Sequence, residues 1–286
     1  MNDEIRTALV VGSGLVGTSV ALALTQRGYT VLLHDIDDAR LRDAAALCAC
    51  RPWGRTEAVH VAVVAVPPAQ TCAAVCDILR SSPAAVVTDT ASVKVGVQQA
   101  IEQELASTGE PAALERYHGG HPIAGGELSG PAGARGDLFV GRPWVLTPGR
   151  ASVEAQRVVG QLVADCGAVP VLMDAEHHDA AVALTSHVPQ LLASALASLF
   201  AEADDETLRL AGAGLRDMTR IAASDATMWS QIAADNAANV ARTLDAILQR
   251  LTSLSAALHA AEPQEAVETL LRAGNVGQRR IEDGVP

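Results

Sequence analysis

The sequence predicts an α/β protein: a doubly wound, mostly parallel sheet, followed by a second domain built only of helices. Three features predict it. Short apolar runs without alternation recur through the first 174 residues, the pattern of strands buried on both faces of a parallel sheet. Helical patterns separate these runs, as crossovers between parallel strands require. After Asp174 the texture changes to Ala/Leu-rich helical stretches. Residues 1–174 are therefore read as the sheet domain and 175–286 as the helical one.

Residues 7–11, TALVV, read as a strand that stops at Gly12. GSGLVG follows, then the helical pattern TSVALALTQRG, then YTVLLHD, an apolar run ending on an acid. Further strands are expected at Val61–Val66, where Pro67-Pro68 stops the run, and at Ala84–Thr88, Pro143–Leu146 and Val169–Leu172. Beyond the sheet, residues 176–203 read as one helix kinked at Pro189, because proline removes a ladder hydrogen bond. Residues 226–259 read as another long helical region, in which Val240, Leu244, Ile247, Leu251, Leu254 and Leu258 are spaced 4, 3, 4, 3, 4. That heptad stripe wants a partner helix, in the same chain or in a second protomer. The tail from Gly274 is expected to fray or to lie on a partner.

Composition narrows the class of function. A chain of 286 residues has room for two domains. It is 49% hydrophobic and 19% charged, which gives a core rather than disorder. No uninterrupted apolar stretch reaches the ~18 residues of a membrane span. The start, with Asp3 and Glu4, is unlike a secretory signal, so the cytoplasm is the expected location. A net charge of −12 argues against a nucleic-acid partner. An anionic substrate would need a local cluster of Arg. Of the 21 cationic residues only Lys94 is a lysine, a bias expected of a GC-rich genome. Cys48, Cys50, Cys72, Cys76 and Cys166 are odd in number and contain no C-x-x-C pair. Free thiols are expected, not a disulfide framework or a zinc ribbon.

Gly12-Ser13-Gly14-Leu15-Val16-Gly17 fits G-x-G-x-x-G. It follows a strand, opens a helix and sits in a βαβ unit, the setting that makes the pattern informative. Gly12 serves the tight turn, Gly14 the approach of a pyrophosphate, and Gly17 the packing of helix on strand. The helix N-terminus offers donors and partial positive charge to the phosphates. Asp35 ends the second strand 23 residues after Gly12, placed to accept from ribose hydroxyls and to repel a 2′-phosphate. The sheet is thus of the Rossmann type, with NAD expected rather than NADP. Val66 and Pro67, at the end of the third predicted strand, are expected at the same cofactor.

Several other segments can carry chemistry. His121 sits in GGHPIAGGELSG, read as a glycine-rich loop at the carboxyl ends of the strands, where ligands bind. Two readings of it stand: a proton acceptor near neutral pH, or a loop histidine capping backbone groups. Ser92, in Ser92-Val93-Lys94, lies at another strand end, placed to hold a substrate hydroxyl or to orient His121. Lys94, as the single lysine, points to a local role. Arg216 and Arg220 flank Asp217; guanidinium suits carboxylates, but a solvated ion pair has the same appearance. His177-His178-Asp179 suggests a metal, yet adjacent helical positions face apart. It is read as helix surface, and no metal is expected.

Together these segments resemble the prephenate/arogenate dehydrogenases of tyrosine biosynthesis. The resemblance runs over nearly the whole chain, through the glycine fingerprint, TDTASVK, HPIAGGELSG with LFVGRPWVLTP, SHVPQ, and LRDMTRIAASDATMW. It implies an NAD(P)-binding domain and a helical dimerisation domain that forms a homodimer. It also implies oxidative decarboxylation of prephenate, a dicarboxylate cyclohexadienol, to 4-hydroxyphenylpyruvate. The alternative is arogenate, which gives tyrosine. By the resemblance His121 is the catalytic histidine on the ring hydroxyl, and Ser92 helps polarise that hydroxyl. Arg220 holds a substrate carboxylate, while Glu127, Asp217 and Trp229 shape the pocket. Ser186 and His187 are the Ser-His pair on the first helix of the second domain. Gln190 departs from the family, which often has a second histidine there. Glutamine cannot be cationic, and its carbonyl can accept from an ammonium, which tilts the reading toward arogenate. No carboxy-terminal ACT-type regulatory domain is expected.

Other classes compete. A β-hydroxyacid dehydrogenase or imine reductase would need a catalytic Lys or Asp on the interdomain helix, and SHVPQ offers neither. A non-catalytic NAD-binding sensor is opposed by the retained His121, Ser92 and Arg220. An amino-substituted prephenate leaves no readable motif. No membrane partner is expected.

Overall fold

The computed structural model describes residues 6–125, 130–260 and 262–284. The chain runs β1 (Thr7–Val11), α1 (Leu15–Gln26), β2 (Thr30–His34), α2 (Asp38–Cys48), β3 (Arg51–Pro52), β4 (Val61–Val64), α3 (Pro68–Ser81), β5 (Val86–Asp89) and α4 (Val95–Ser107). β6 (Gly119–Pro122), β7 (Pro143–Thr147), α5 (Val153–Asp165) and β8 (Val169–Leu172) follow. Then come α6 (Ala175–Val182), α7 (Val188–Ser198), α8 (Asp205–Leu208), α9 (Ala213–Thr219), α10 (Ala226–Asp235), α11 (Ala237–Leu258) and α12 (Gln264–Asp283). This is the expected Rossmann-type sheet followed by helices.

The first sheet is parallel throughout, in the order β3-β2-β1-β4-β5. The connections reverse direction between β1 and β4, the switch point at which such sheets bind ligands. Successive residues of each strand serve opposite cores. Ala8, Val10, Val31 and Val63 pack with α1 and α5, while Leu9, Leu32, Ala62 and Val64 pack with α3 and α4. Each fully buried Val or Leu contributes roughly 1.5–3 kcal/mol. Both faces are covered, which is why the strand sequences show no polar alternation.

A second sheet holds β6 antiparallel to β7 and β7 parallel to β8. The His118 amide donates to the Val87 carbonyl at 2.9 Å, tying the start of β6 to the edge of β5. The stretch expected to be a glycine-rich loop therefore contains a strand, and His121 stands on it. Its glycines answer crowding. A Cβ at Gly120 would lie 2.7 Å from the Asp89 carbonyl oxygen, and one at Gly119 would lie 2.4 Å from Thr147 Oγ1.

The helical half differs from expectation in two places. Residues 175–198 form one continuous helical run, but its irregularity is a π-helical turn before Pro189 rather than a simple kink at it. α6 and α7 are joined by a π-helical turn, Ala183–His187, in which the Val188 amide reaches back to the Ala183 carbonyl. Pro189 follows directly on that turn in a helical run unbroken from Ala175, so its missing N–H removes one ordinary helical donor, and the wider π-helical turn is the local adjustment. The region 226–259 is broken at Asn236, whose amide donates to the Asp179 carbonyl at 2.7 Å. The tail from Gly274, expected to fray or to lie on a partner, continues α12 to Asp283.

By length and composition, Ala175–Ser198 would suffice to cross a membrane. It nevertheless buries His178, Asp179, His187 and Gln190, each with polar partners inside the fold. The heptad stripe divides. Val240, Leu244 and Ile247 pack with Ala183 and Val188, so the first half is covered within the chain. Leu251 and Leu258 remain 47% and 54% exposed.

Candidate active site

The glycine turn is built by close approach. Gly12 has φ +100°, and a Cβ there would sit 2.3 Å from the Ala65 carbonyl oxygen at the end of β4. A Cβ at Gly17 would meet the Gly12 carbonyl oxygen at 1.9 Å. On the open side, none of the described residues lies within 4 Å of a Cβ at Gly14, so they leave the backbone open where a phosphate would approach. The Ser13 hydroxyl is buried with no hydrogen-bond partner among the described residues. Half-buried Leu15 and Val16 begin α1, and Val66 and Pro67 close the turn after β4. Asp35 does more than face a ribose. Its Oδ2 accepts from the Ser13 amide at 2.6 Å and its Oδ1 from the Asp37 amide at 2.9 Å. The carboxylate braces the turn that the cofactor would occupy. A bare Gly14, an unpartnered Ser13 and a carboxylate at the second strand end fit a dinucleotide.

A chain of acceptors runs from the helical half into β6. His121 Nδ1 lies 2.8 Å from His178 Nε2, and His178 Nδ1 lies 2.7 Å from Asp179 Oδ1. A carboxylate only accepts, so the hydrogen-bond network assigns the tautomers. His178 donates through Nδ1 and accepts at Nε2 from His121 Nδ1–H. His121 is left with an Nε2 that has no hydrogen-bond partner among the described residues, on a ring that lines a cleft. Burial, then the neighbouring His178, Lys94 and His187, hold His121 well below the ordinary histidine range. The ring is neutral at physiological pH and ready to accept. Burial pushes Asp179 up, but hydrogen bonds from His178 and from the Lys94 and Val95 amides outweigh it and hold the group below its ordinary value. Those amides lie 2.8 and 3.0 Å from the carboxylate.

Beneath β6 lies a second buried cluster. Lys94 is fully enclosed, its ammonium on Asp89 and on the Gly120 carbonyl at 2.6 Å. Asp89 also accepts from Tyr117 Oη at 2.7 Å. Lys94 thus has the local role its isolation suggested: it holds the peptide preceding His121, while its own amide holds Asp179.

The cleft beside His121 measures about 330 Å³ and is lined by Pro122, Ile123, Ala124, Gly125, Arg142, Val182, Thr185 and Ser186 as well. The π-turn presents Thr185 and Ser186 on this wall, a frequent use of such bulges. Ser92 is half-buried in the loop after β5. His121 Nδ1 is oriented by His178, not by that serine. Gln190 lies one turn beyond Ser186, buried, with Nε2 donating to the Ile221 carbonyl at 2.9 Å and Oε1 3.4 Å from Ser224 Oγ. It braces the exposed turn Arg220–Ala223 against α7. Trp229 stands edge-on to His187 at 6.1 Å, and His187 in turn touches Asn236. Asp217 is exposed on α9. Glu127 lies outside the described residues.

Sequence reasoning passed over His178, Asp179 and Arg142. The reading of His177-His178-Asp179 as helix surface holds for exposed His177 and fails for the other two. The start of α6 is wedged between β6 and the Val93–Val95 segment, so two adjacent faces are covered. The signal available was a His-Asp pair beside the Ser-His pair on one helical run.

Comparison with known proteins finds matches along nearly the whole chain. Residues 20–172 match the family model for the prephenate dehydrogenase nucleotide-binding domain, and residues 174–273 that for the prephenate dehydrogenase dimerization domain. A Streptomyces niveus protein, probable prephenate dehydrogenase NovF, is 38% identical over 97% of this chain and 78% of its own length. The prephenate dehydrogenase of Bacillus subtilis (strain 168) is 29% identical over 100% of this chain and 78% of its own. Prephenate dehydrogenase from A. aeolicus, solved in complex with hydroxyphenyl propionate and NAD+, has a TM-score of 0.84 at 27% identity, over 99% of each chain.

Proposed function

The chain belongs to the prephenate dehydrogenase family, and from that premise we propose that it oxidatively decarboxylates prephenate to 4-hydroxyphenylpyruvate with NAD. The observation that carries this is the His121–His178–Asp179 relay. It ends in an imidazole nitrogen, unpartnered among the described residues, at a cleft between the sheet and the first helix of the helical half.

Gly12 to Gly17, Asp35, Val66 and Pro67 would hold the NAD, which when bound accepts the hydride from the ring carbon bearing the hydroxyl. His121 Nε2 accepts the hydroxyl proton as that carbon is oxidised. The positive charge that results is shared along His178 to Asp179. As the ring carboxylate leaves as carbon dioxide, its electron pair enters the ring and reaches the same oxygen. His121 returns the proton there and the phenol results. Positioned proton transfer of this kind contributes ~10²–10⁴-fold, and aromatisation drives the step forward. Ser92 supports the hydroxyl, Ser186 lines the cleft, and Arg220 takes a substrate carboxylate. Glu127 and Trp229 shape access.

Gln190 does not carry the tilt toward arogenate, because its amide is engaged with Ile221 and Ser224. Prephenate is the preferred substrate. The exposed half of the α11 stripe is the proposed seat of a homodimer, and the cytoplasm the proposed location. The test is NADH formation from prephenate and arogenate, each with NAD and NADP. The highest kcat/KM is expected for prephenate with NAD. No NADH from either substrate refutes the proposal.

A further inference from the structure

A dianionic substrate needs cations at the cleft, the more so in a chain of net charge −12. Lys94 does not serve, because its ammonium is enclosed by Asp89 and the Gly120 carbonyl. The cleft wall holds another cation, Arg142, which shares the space with His121, Ile123, Thr185 and Ser186. It is exposed, and no described residue pairs with its guanidinium. Its backbone is fixed at both ends: its amide donates to the Phe139 carbonyl at 2.9 Å and its carbonyl accepts from the Val169 amide at 2.8 Å.

The strand register sets the distance. His121 lies opposite Val145 in the β6–β7 pair. Arg142 is three residues before Val145, about 10 Å along the strand at ~3.4 Å per residue. A cyclohexadienol with its hydroxyl at His121 directs both acid groups away from the histidine, since they stand on the opposite ring carbon. The side-chain acid reaches farther than the acid attached directly to the ring. An arginine whose backbone stands about 10 Å along the strand, with its guanidinium on a long flexible stem at the same cleft, suits the farther one.

The geometry points to Arg142 as a substrate-binding residue whose guanidinium pairs with the side-chain carboxylate, leaving the ring carboxylate to Arg220. This rests on the dehydrogenase reading. The side-chain carboxylate survives into the product, so the pair is readable in ligands that have already lost the ring acid. Hydroxyphenyl propionate is such a ligand.

The experiment compares the wild-type chain with Arg142→Gln and Arg142→Lys, both NAD-loaded. It measures hydroxyphenyl propionate affinity by calorimetry and kinetics with prephenate. Arg142→Gln is expected to weaken the analogue and raise KM by the same factor, roughly 10- to 100-fold. kcat should stay within about threefold, because the contact is equal in ground and transition states. Arg142→Lys should recover part of the loss. Unchanged analogue affinity overturns the assignment, whether KM is also unchanged or has risen. A KM that rises alone would place Arg142 on the ring carboxylate. A wild-type chain that binds the analogue through Arg142 yet forms no NADH would refute the dehydrogenase reading and leave the arginine assignment standing.

Discussion

Asp179→Asn tests the relay without changing its shape. In the wild type, Oδ1 accepts from His178 Nδ1 at 2.7 Å and from the Lys94 amide at 2.8 Å, and Oδ2 from the Val95 amide at 3.0 Å. Asparagine turns one of these acceptors into a donor. If its nitrogen replaces Oδ2, it meets the Val95 N–H donor to donor. If it replaces Oδ1, His178 must move its proton to Nε2 and donate to His121 Nδ1. His121 would then carry its own proton on Nε2, where the substrate hydroxyl needs an acceptor. Either arrangement also removes the anion that shares the charge on His121. The expected loss in kcat is ~10²–10⁴-fold, the worth of a positioned general base. One lost buried hydrogen bond costs roughly 1–3 kcal/mol of stability. The assay is NADH formation at saturating prephenate and NAD across pH, with a urea midpoint alongside. KM for NAD should not move, because the glycine turn makes no contact with Asp179. The pH profile gives an independent reading. His121 is held well below its ordinary value, so wild-type activity should persist as pH falls through about 6.5 and fail only below it. A variant with kcat within about threefold of wild type would refute the relay.

Other outcomes follow from the same geometry. Asp35→Ala removes the acceptor for the Ser13 and Asp37 amides. KM for NAD should rise roughly 10- to 100-fold with KM for prephenate unchanged; an unchanged KM for NAD would show that the turn stands without its brace. Lys94→Met leaves Asp89 buried without its cation. Stability in urea should fall by roughly 3–5 kcal/mol, and a fall below about 1 kcal/mol would mean that Tyr117 and the Gly120 amide suffice. Leu251→Glu charges the exposed half of the α11 stripe, and light scattering should show a dimer becoming monomer. A dimer that persists places the interface elsewhere.

The four strands β1, β2, β4 and β5 were legible because they are buried on both faces. Ala8 and Val10 meet one core and Leu9 and Val11 the other, so an uninterrupted apolar run is the direct trace of the layer structure. The glycine turn was legible for a similar reason, since Gly12 and Gly17 answer contacts that no side chain could share. β6 was hidden. Gly119-Gly120-His121-Pro122 has the composition of a loop, and its glycines are imposed by Asp89 and Thr147, which arrive from distant parts of the chain. His178 and Asp179 were hidden because helical periodicity assigns one buried face, whereas the start of α6 is enclosed on two. The π-turn that presents Ser186 leaves no local mark beyond Pro189 just after it. Long-range contacts make the catalytic geometry, and a single sequence records only the residues that enter them.

His121 stands neutral, fixed by His178 and Asp179, with Nε2 unpartnered among the described residues. Ring-nitrogen NMR on histidine-labelled enzyme at neutral pH reads this directly, with the His121 signal among the eight histidines identified by its loss in His121→Asn. The expected signal is a neutral ring protonated at Nδ1, with a switch to Nε2 protonation or a mixture of tautomers in Asp179→Asn. An imidazolium at neutral pH, or a wild-type ring protonated at Nε2, would contradict it.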